Sequence, residues 1–196
     1  SIGQIVFQNM IESGFQGGLY PINPKSPEIQ GRKAYASIAD IGQAVELAVI
    51  ATPPQTVPDI IEACGKHGVK AAVIITAGFG ETGPQGQVLE KAVLDNAHLY
   101  GIRLIGPNCL GVMRPSIGLN ATFNKGGANS GKLAFVSQSG ALCTAILDWA
   151  QSNDVGFSSV VSMGSSADVD FGEILDYLVS DAQTQSILLY IEGIRN

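Results

Sequence analysis

The chain has 196 residues, 45% of them apolar and 14% charged, with a net charge of −6. That length fits one large domain or two small ones, with enough apolar material for a well-buried core. Its 11 lysines and arginines form no cluster, which argues against a nucleic-acid surface but leaves room for a phosphorylated small molecule held by backbone N–H groups.

In chain order, IGQIVFQNMIES places Ile2, Ile5, Val6 and Met10 near helical spacing, and Gly14 can end that helix. LYPIN reads as a short strand, VELAVIAT (45–52) as a buried strand, and TVPDIIEACGKHG (56–68) as a helix with Val57, Ile60, Ile61 and Cys64 on one face. AAVIIT (71–76) is a strand, 85–100 a helix, and IRLIG (102–106) the next strand. The Gly- and Asn-rich FNKGGANSGK (123–132) reads as a linker. After it come the strand KLAFVS, a helix over 140–151, the strand FSSVVSMG (157–164), a helix with Phe171, Ile174, Leu175 and Leu178 on its apolar face, and the strand SILLYIE (186–192).

Continuously apolar strands alternating with amphipathic helices predict parallel strands covered on both faces. The expected fold is therefore α/β, in two open-sheet domains over 1–123 and 124–196. Residue 1 already stands at a helix start, where a dinucleotide-type domain opens on a strand and a Gly-rich turn. The second domain shows three strands, few for a sheet of typically ~5–6. Both domains are thus expected to be incomplete, and the chain a fragment of a longer polypeptide.

Cys64, Cys109 and Cys143 are far apart and odd in number, with no CxxC or Cys/His spacing that reads as a metal site. Reduced thiols and a cytoplasmic location are expected. No apolar run approaches the ~18–20 residues of a membrane span, and no leader pattern opens the chain.

In open α/β sheets, ligands bind beyond the carboxyl ends of the strands. The turns there are PINPK (21–25), ATPP (51–54), TAGFG (76–80) and GPNCLG (106–111), rich in Pro and Gly, with Lys25 as the basic residue among them. Such turns suit a ligand lying against the backbone; they are equally what the topology requires of any α/β domain. Cys109 is either a nucleophile or a buried thiol. His67 and His98 lie near helix C-termini, where a cation complements the dipole.

The stretch VSQSGA (136–141) sits on a strand-to-helix turn. It resembles a nucleophile elbow superficially, but Val136 stands where the first glycine would be and no histidine follows Ser139. What remains is a helix N-terminus, capped by Ser139, whose free N–H groups suit a phosphoryl group. Glu192, at the end of SILLYIE, is costly to bury unless partnered. Arg195 or a loop N–H would be a plain partner; otherwise the carboxylate orients a histidine or cation arriving from elsewhere.

Taken together, GPNCLGV, VSQSGALCTAILDWA and LLYIEGIRN resemble the alpha part of the NDP-forming acyl-CoA synthetases. That family includes ADP-forming acetate–CoA ligase and, more distantly, succinyl-CoA synthetase. The resemblance covers the whole chain and implies a Rossmann-like CoA-binding domain followed by a flavodoxin-like ligase domain. It implies that Ser1, Ile2 and Gly3 end the first CoA loop, that Lys25 lies near the CoA phosphates, and that Pro53, Pro54, Ile75, Thr76, Ala77 and Gly78 contact CoA. Asn108 and Cys109 would lie beside its thiol end. Ser137, Ser139, Gly140 and Ala141 would hold the phosphoryl group of a phosphohistidine, and Glu192 would contact that histidine, which is expected beyond Asn196.

The implied reaction takes acyl-CoA, ADP and phosphate to acid, CoA and ATP through an acyl phosphate and a phosphohistidine. ATP or ADP with Mg would be bound by an ATP-grasp domain or beta subunit, in an oligomer. The fragment alone is expected to be inactive. A second implication comes from bacterial protein lysine acetyltransferases, which carry the same domains: a CoA- or acyl-CoA-sensing regulatory module. A nicotinamide-dependent oxidoreductase is weaker, because neither GxGxxG nor the acidic residue expected after a second strand is visible.

Overall fold

The structure is a computed structural model and describes residues 1–193. The elements in chain order are α1 (Ile2–Glu12), β1 (Glu28–Ile29), β2 (Arg32–Lys33), β3 (Leu47–Ile50), α2 (Val57–Lys66), β4 (Ala71–Ile74), α3 (Pro84–Tyr100) and β5 (Arg103–Ile105). Then follow β6 (Gly111–Arg114), β7 (Leu119–Thr122), β8 (Asn129–Ser137), α4 (Gly140–Ser152), β9 (Gly156–Ser162), α5 (Phe171–Ser180) and β10 (Ser186–Tyr190).

The first sheet is parallel, in the order β3-β4-β5, with Ile50 opposite Ile74 and Val73 opposite Ile105. Alternate residues of β4 serve opposite faces, as a period of 2 requires. Ala72 and Ile74 pack with Val57 and Ile61 of α2 and with Val93 and Ala97 of α3. Val73 packs with Val6 of α1, together with Ile75 and Cys109. Each such aliphatic side chain contributes roughly 1.5–3 kcal/mol on full burial.

The second sheet has five strands in the order β10-β8-β9-β6-β7. Its α4 face gathers Phe135, Phe157 and Val160 around Cys143, Leu147 and Ala150. On the opposite face Ala134 and Val136 meet Val169 and Leu178. Both helices therefore read off one strand, β8, again by alternation.

Three expectations change. LYPIN is not a strand: Ile22 forms an isolated bridge to Tyr35 and nothing more regular. The 123–132 stretch is not all linker, because β8 begins at Asn129. The sheets are not all parallel either. β6 and β7 form an antiparallel hairpin through Pro115–Gly118, and β6 pairs antiparallel with β9. Residues 111–122 thereby belong to the second sheet, whereas the sequence division at 123 groups them with the first. The five strands include this hairpin, which short runs of four residues do not announce by periodicity. α1 also reaches across: its buried Asn9 donates to the Thr122 and Asn124 carbonyls, both at 2.8 Å. Exposed Ile2 and Ile5 lie off the packed face, at 46% and 41%.

Candidate functional site

The carboxyl ends of β3 and β4 give adjacent turns. Thr76 Oγ1 donates to the Thr52 carbonyl at 2.8 Å. Gly78, at φ +108°, lies so close to Pro54 that an added Cβ would meet its Cγ at 2.9 Å. The turn over Pro53–Pro54 and the turn over Ile75–Gly78 are thus one surface, with Ile75 buried beneath it and Ala77 exposed on top. The start of α1 borders this surface, since a Cβ on Gly3 would come within 4.0 Å of Ala51 Cβ. Ser1 caps α1 by a capping box, so the N-terminal turn is fixed rather than frayed. Beside it runs a groove lined by Ser1, Gln4, Ile5, Gln8, Asn9 and Gln30, the last donating to the Gln4 carbonyl at 3.1 Å. Lys25 is exposed in the turn before β1, its N–H held by Asn23 Oδ1 at 2.9 Å. No contact joins its ammonium to the other residues of this surface, so its place beside a ligand remains a proposal.

The N–H groups of the β4 turn are already served. Glu81 accepts from Gly78 N–H at 2.6 Å and from Phe79 N–H at 3.2 Å, and Glu90 accepts from Gly80 N–H at 3.2 Å. Sequence reasoning passed over Glu81. Its signal was legible: a carboxylate directly after a Gly-rich turn folds back onto that turn's amides.

Asn108 is exposed at φ +56°, with its N–H on the Thr76 carbonyl at 2.9 Å, which brings the GPNC turn against the Thr76 turn. Cys109 points the other way. It is 4% exposed, its Sγ faces the Ile74 carbonyl at 3.3 Å, and burial pushes the thiol up to about 12. Of the two readings of Cys109, the buried thiol is the one the geometry supports, since a nucleophile needs an accessible thiolate.

The GPNCLG turn also touches the second site. Leu110 N–H donates to Ser162 Oγ at 2.9 Å, and a Cβ on Gly140 would stand 3.7 Å from Leu110 Cβ. The α4 N-terminus is therefore a direct neighbour of the turn that carries Asn108. Ser139 caps α4, its Oγ accepting from Leu142 N–H at 3.3 Å and its carbonyl from Cys143 N–H at 3.0 Å. Ser137 is fully buried. Its hydroxyl accepts from Ser139 N–H and donates to the Ser139 carbonyl, both at 3.0 Å, so it braces the turn. The donors left at this helix start are the N–H groups of Gly140 and Ala141. No acidic residue stands in the first turn, so no side chain of the helix itself compensates the positive end of its dipole.

Glu192 is exposed, so the burial cost expected from its apolar surroundings does not arise. β10 is an edge strand with Leu188 and Tyr190 open to solvent, and the chain emerges at its end. Gln138, unassigned from sequence, places this segment. Its Oε1 accepts from Glu192 N–H at 2.6 Å and Gly193 N–H at 3.0 Å, while its Nε2 donates to the Gly193 carbonyl at 2.9 Å. The backbone of Glu192 and Gly193 is thereby tethered to the residue before Ser139. Arg195, the alternative partner, lies outside the described residues. His67 caps α2 with Nε2 3.1 Å from the Gln43 carbonyl, and exposed His98 lies 3.8 Å from Asp168. Neither joins the two turns.

Residues 1–115 match the CoA binding domain model, and residues 130–196 the succinyl-CoA ligase like flavodoxin domain model. The chain belongs to the NDP-forming acyl-CoA synthetase family. It is 46% identical over 196 residues to the alpha subunit of acetate–CoA ligase (ADP-forming) II of Pyrococcus furiosus, covering 100% of this chain and 42% of that subunit. It is 47% identical over 195 residues to acetate–CoA ligase (ADP-forming) of Methanocaldococcus jannaschii, covering 100% of this chain and 27% of that protein. The dinucleotide-forming acetyl-coenzyme A synthetase 1 of Ca. Korarchaeum cryptofilum, solved with phosphate and ADP, superposes at a TM-score of 0.93 and 42% identity. That match covers 97% of this chain and 41% of the other. The chain thus spans less than half the length of these synthetase relatives. Its α/β fold is the Rossmann-like CoA-binding and flavodoxin-like pair that the sequence resemblance implied. No helix among the described residues is long and apolar enough to cross a membrane.

Proposed function

We propose that this chain is the CoA-binding and phosphoryl-holding alpha-type part of an ADP-forming acyl-CoA ligase acting on acetate or another short acid. The observation that carries this reading is the adjacency of two turns of different character. The GPNC turn offers Asn108 beside the Thr76–Gly78 surface, and the α4 start offers two free N–H groups with no acid in its first turn. Gly140 and Leu110 are neighbours across the two turns, a Cβ built on Gly140 standing 3.7 Å from Leu110 Cβ. A thioester at the first turn and a phosphoryl group at the second would meet within one site.

In this reading Ser1, Ile2, Gly3, Lys25, Pro53, Pro54, Ile75, Thr76, Ala77 and Gly78 form the wall against which CoA lies. Ile75 and Cys109 act from beneath by packing. Ser139, braced by Ser137, orients the Gly140 and Ala141 amides toward developing phosphoryl charge, where preorganised donors are most effective. Glu192 orients the histidine that carries the phosphoryl group, from a backbone held by Gln138. The nucleotide supplies or accepts that group when bound, and with its Mg it belongs to an ATP-grasp domain or beta subunit, in a cytoplasmic oligomer. The described residues contain no group of three or more His, Cys, Asp or Glu that could hold a metal. The relatives named above are ligases, and no observation favours an acetyltransferase's regulatory module.

The test is made on the ligase assembly that contains this chain. Acetyl-CoA, ADP and phosphate should yield ATP, acetate and CoA, and calorimetry should show CoA binding that Thr76→Val weakens. An assembly that binds CoA but makes no ATP from any short acyl-CoA would overturn the reading.

A further inference from the structure

β5 is an edge strand of the first sheet, and an open edge normally needs cover. Here the cover comes from the loop after β9, in the other half of the molecule. Ser165 N–H donates to the Pro107 carbonyl at 2.9 Å, Ala167 N–H to the Gly106 carbonyl at 3.0 Å, and Val169 N–H to the Leu104 carbonyl at 3.3 Å. The three bonds run in antiparallel order, one on β5 at Leu104 and two on the start of the GPNC turn. At its near end the same loop is pinned to the phosphoryl side, because Met163 N–H donates to the Ser137 carbonyl at 2.7 Å. Gly164 makes the approach possible: at φ +54°, any Cβ there would collide with the Pro107 and Asn108 carbonyls.

The far end is locked by charge. Asp168, whose side chain is 8% exposed, accepts from Leu104 N–H at 2.7 Å and from Arg103 Nε at 3.1 Å, with Arg103 Nη2 at 3.4 Å. Arg103 also reaches both Glu173 oxygens at 2.8 Å, on the first turn of α5. A carboxylate this buried is stable where it is because both a cation and an amide serve it. His98 approaches Asp168 from α3 at 3.8 Å.

We infer that the Met163–Val169 segment is a strut that sets the spacing between the phosphoryl turn at Ser137–Ala141 and the GPNC turn, and that Asp168 and Arg103 are positioning residues for the step that joins them. The inference rests on the proposed ligase reading. Its consequence is selective. Phosphorylation of the protein from Mg-ATP uses the phosphoryl turn without the GPNC turn, and CoA binding uses the first domain alone. Phosphorylation from acetyl-CoA plus inorganic phosphate needs both turns in register, and small misplacements of reacting groups cost roughly 10²-fold.

The experiment compares Asp168→Ala, Asp168→Asn and Arg103→Met in the complete ligase assembly, following both routes to phosphoprotein by intact mass and measuring CoA affinity. Asp168→Ala and Arg103→Met should slow the acetyl-CoA route about 10- to 100-fold, leaving the ATP route and the CoA dissociation constant within about twofold. Asp168→Asn, which keeps an acceptor for Leu104 N–H, should recover most of the loss. Equal loss in both routes means a general structural role, and no loss in either means no role; each overturns the inference. Should Asp168→Ala fail to fold, Arg103→Met decides, since it leaves the Leu104–Asp168 bond in place. A wild-type assembly inactive by both routes would instead refute the ligase reading.

Discussion

The turns after β4 and β8 occupy equivalent places, each leading from a buried parallel strand toward a helix, yet they are electrostatic opposites. At the β4 turn the N–H groups of Gly78, Phe79 and Gly80 are taken by the carboxylates of Glu81 and Glu90. At the β8 turn, uncharged Ser139 serves the helix start, Gly140 and Ala141 keep their N–H groups, and the first turn carries no acid. A helix N-terminus with about half a positive charge attracts an anion; a turn already filled by carboxylates repels one. Topology thus says where ligands bind, and the residues that follow each turn say which charge they carry. The β4 turn suits an uncharged stretch of ligand, and the β8 turn a phosphoryl group.

The largest expected effect comes from reversing the β8 turn. Asp is as good a cap as Ser, so Ser139→Asp should leave the melting temperature nearly unchanged. Its charge should still slow phosphoryl transfer to the protein by about 10²–10³-fold, the scale of losing a preorganised donor. A variant that keeps wild-type transfer rates would remove the electrostatic basis of the contrast.

Next comes the β4 turn as a shaped surface. Gly78→Ala forces a side chain onto φ +108° and into Pro54, a strain of order 1–3 kcal/mol. Relieving that strain moves the turn off the surface it shares with Pro54, so CoA binding should weaken roughly 5- to 100-fold. Calorimetry with unchanged affinity and unchanged stability would show that CoA does not use this wall. A sharper version is Glu81→Gln. Removing the charge should alter CoA affinity by less than about threefold. A large gain in affinity would mean that the turn holds a phosphate after all, and the contrast would collapse.

The smallest effects concern the thiols and an ion pair away from both turns. Burial pushes Cys64 and Cys143 up to about 11 and Cys109 to about 12. Against an unfolded thiol near ~8.5, their contribution is fully present below that pH and is lost as pH rises through the folded values. Denaturant melts should therefore weaken above about pH 9, and native protein at neutral pH should resist alkylation at all three. At the acid end, hydrogen bonds from Arg114 at 2.8 and 2.9 Å, and then from Thr184, hold Asp181 well below the usual carboxylate range. That stability is complete above the unfolded carboxylate value near ~3.9 and drains as pH falls below it. Asp181→Asn should flatten the acid limb of the same melts.

Much of this was legible in the amino-acid order. Apolar runs and helical spacing located β3, α2, β4, α3, β5, α4, β9, α5 and β10, and the strand-to-helix reading of VSQSGA placed Ser139 as the cap of α4; Thr76 and Asn108 were singled out only by the family resemblance. What escaped depends on partners distant in sequence. The β6–β7 hairpin is held by β9, some 50 residues on. Glu192 looked costly because the run before it is apolar, but β10 ends at Tyr190 and Glu192 stands exposed beyond it. Gln138 and Asp168 are ordinary polar residues until the fold brings Gly193 and Leu104 to them. Glu81 alone was readable locally.

The most direct test of the central claim is phosphorylation of the complete ligase assembly by Mg-ATP, followed by intact mass with wild type and Ser139→Asp side by side. The account predicts one added phosphoryl group on the wild type, stable in base and labile in acid, and almost none on the variant, with CoA affinity equal in both. No phosphorylation of the wild type, or equal phosphorylation of the two, would contradict it.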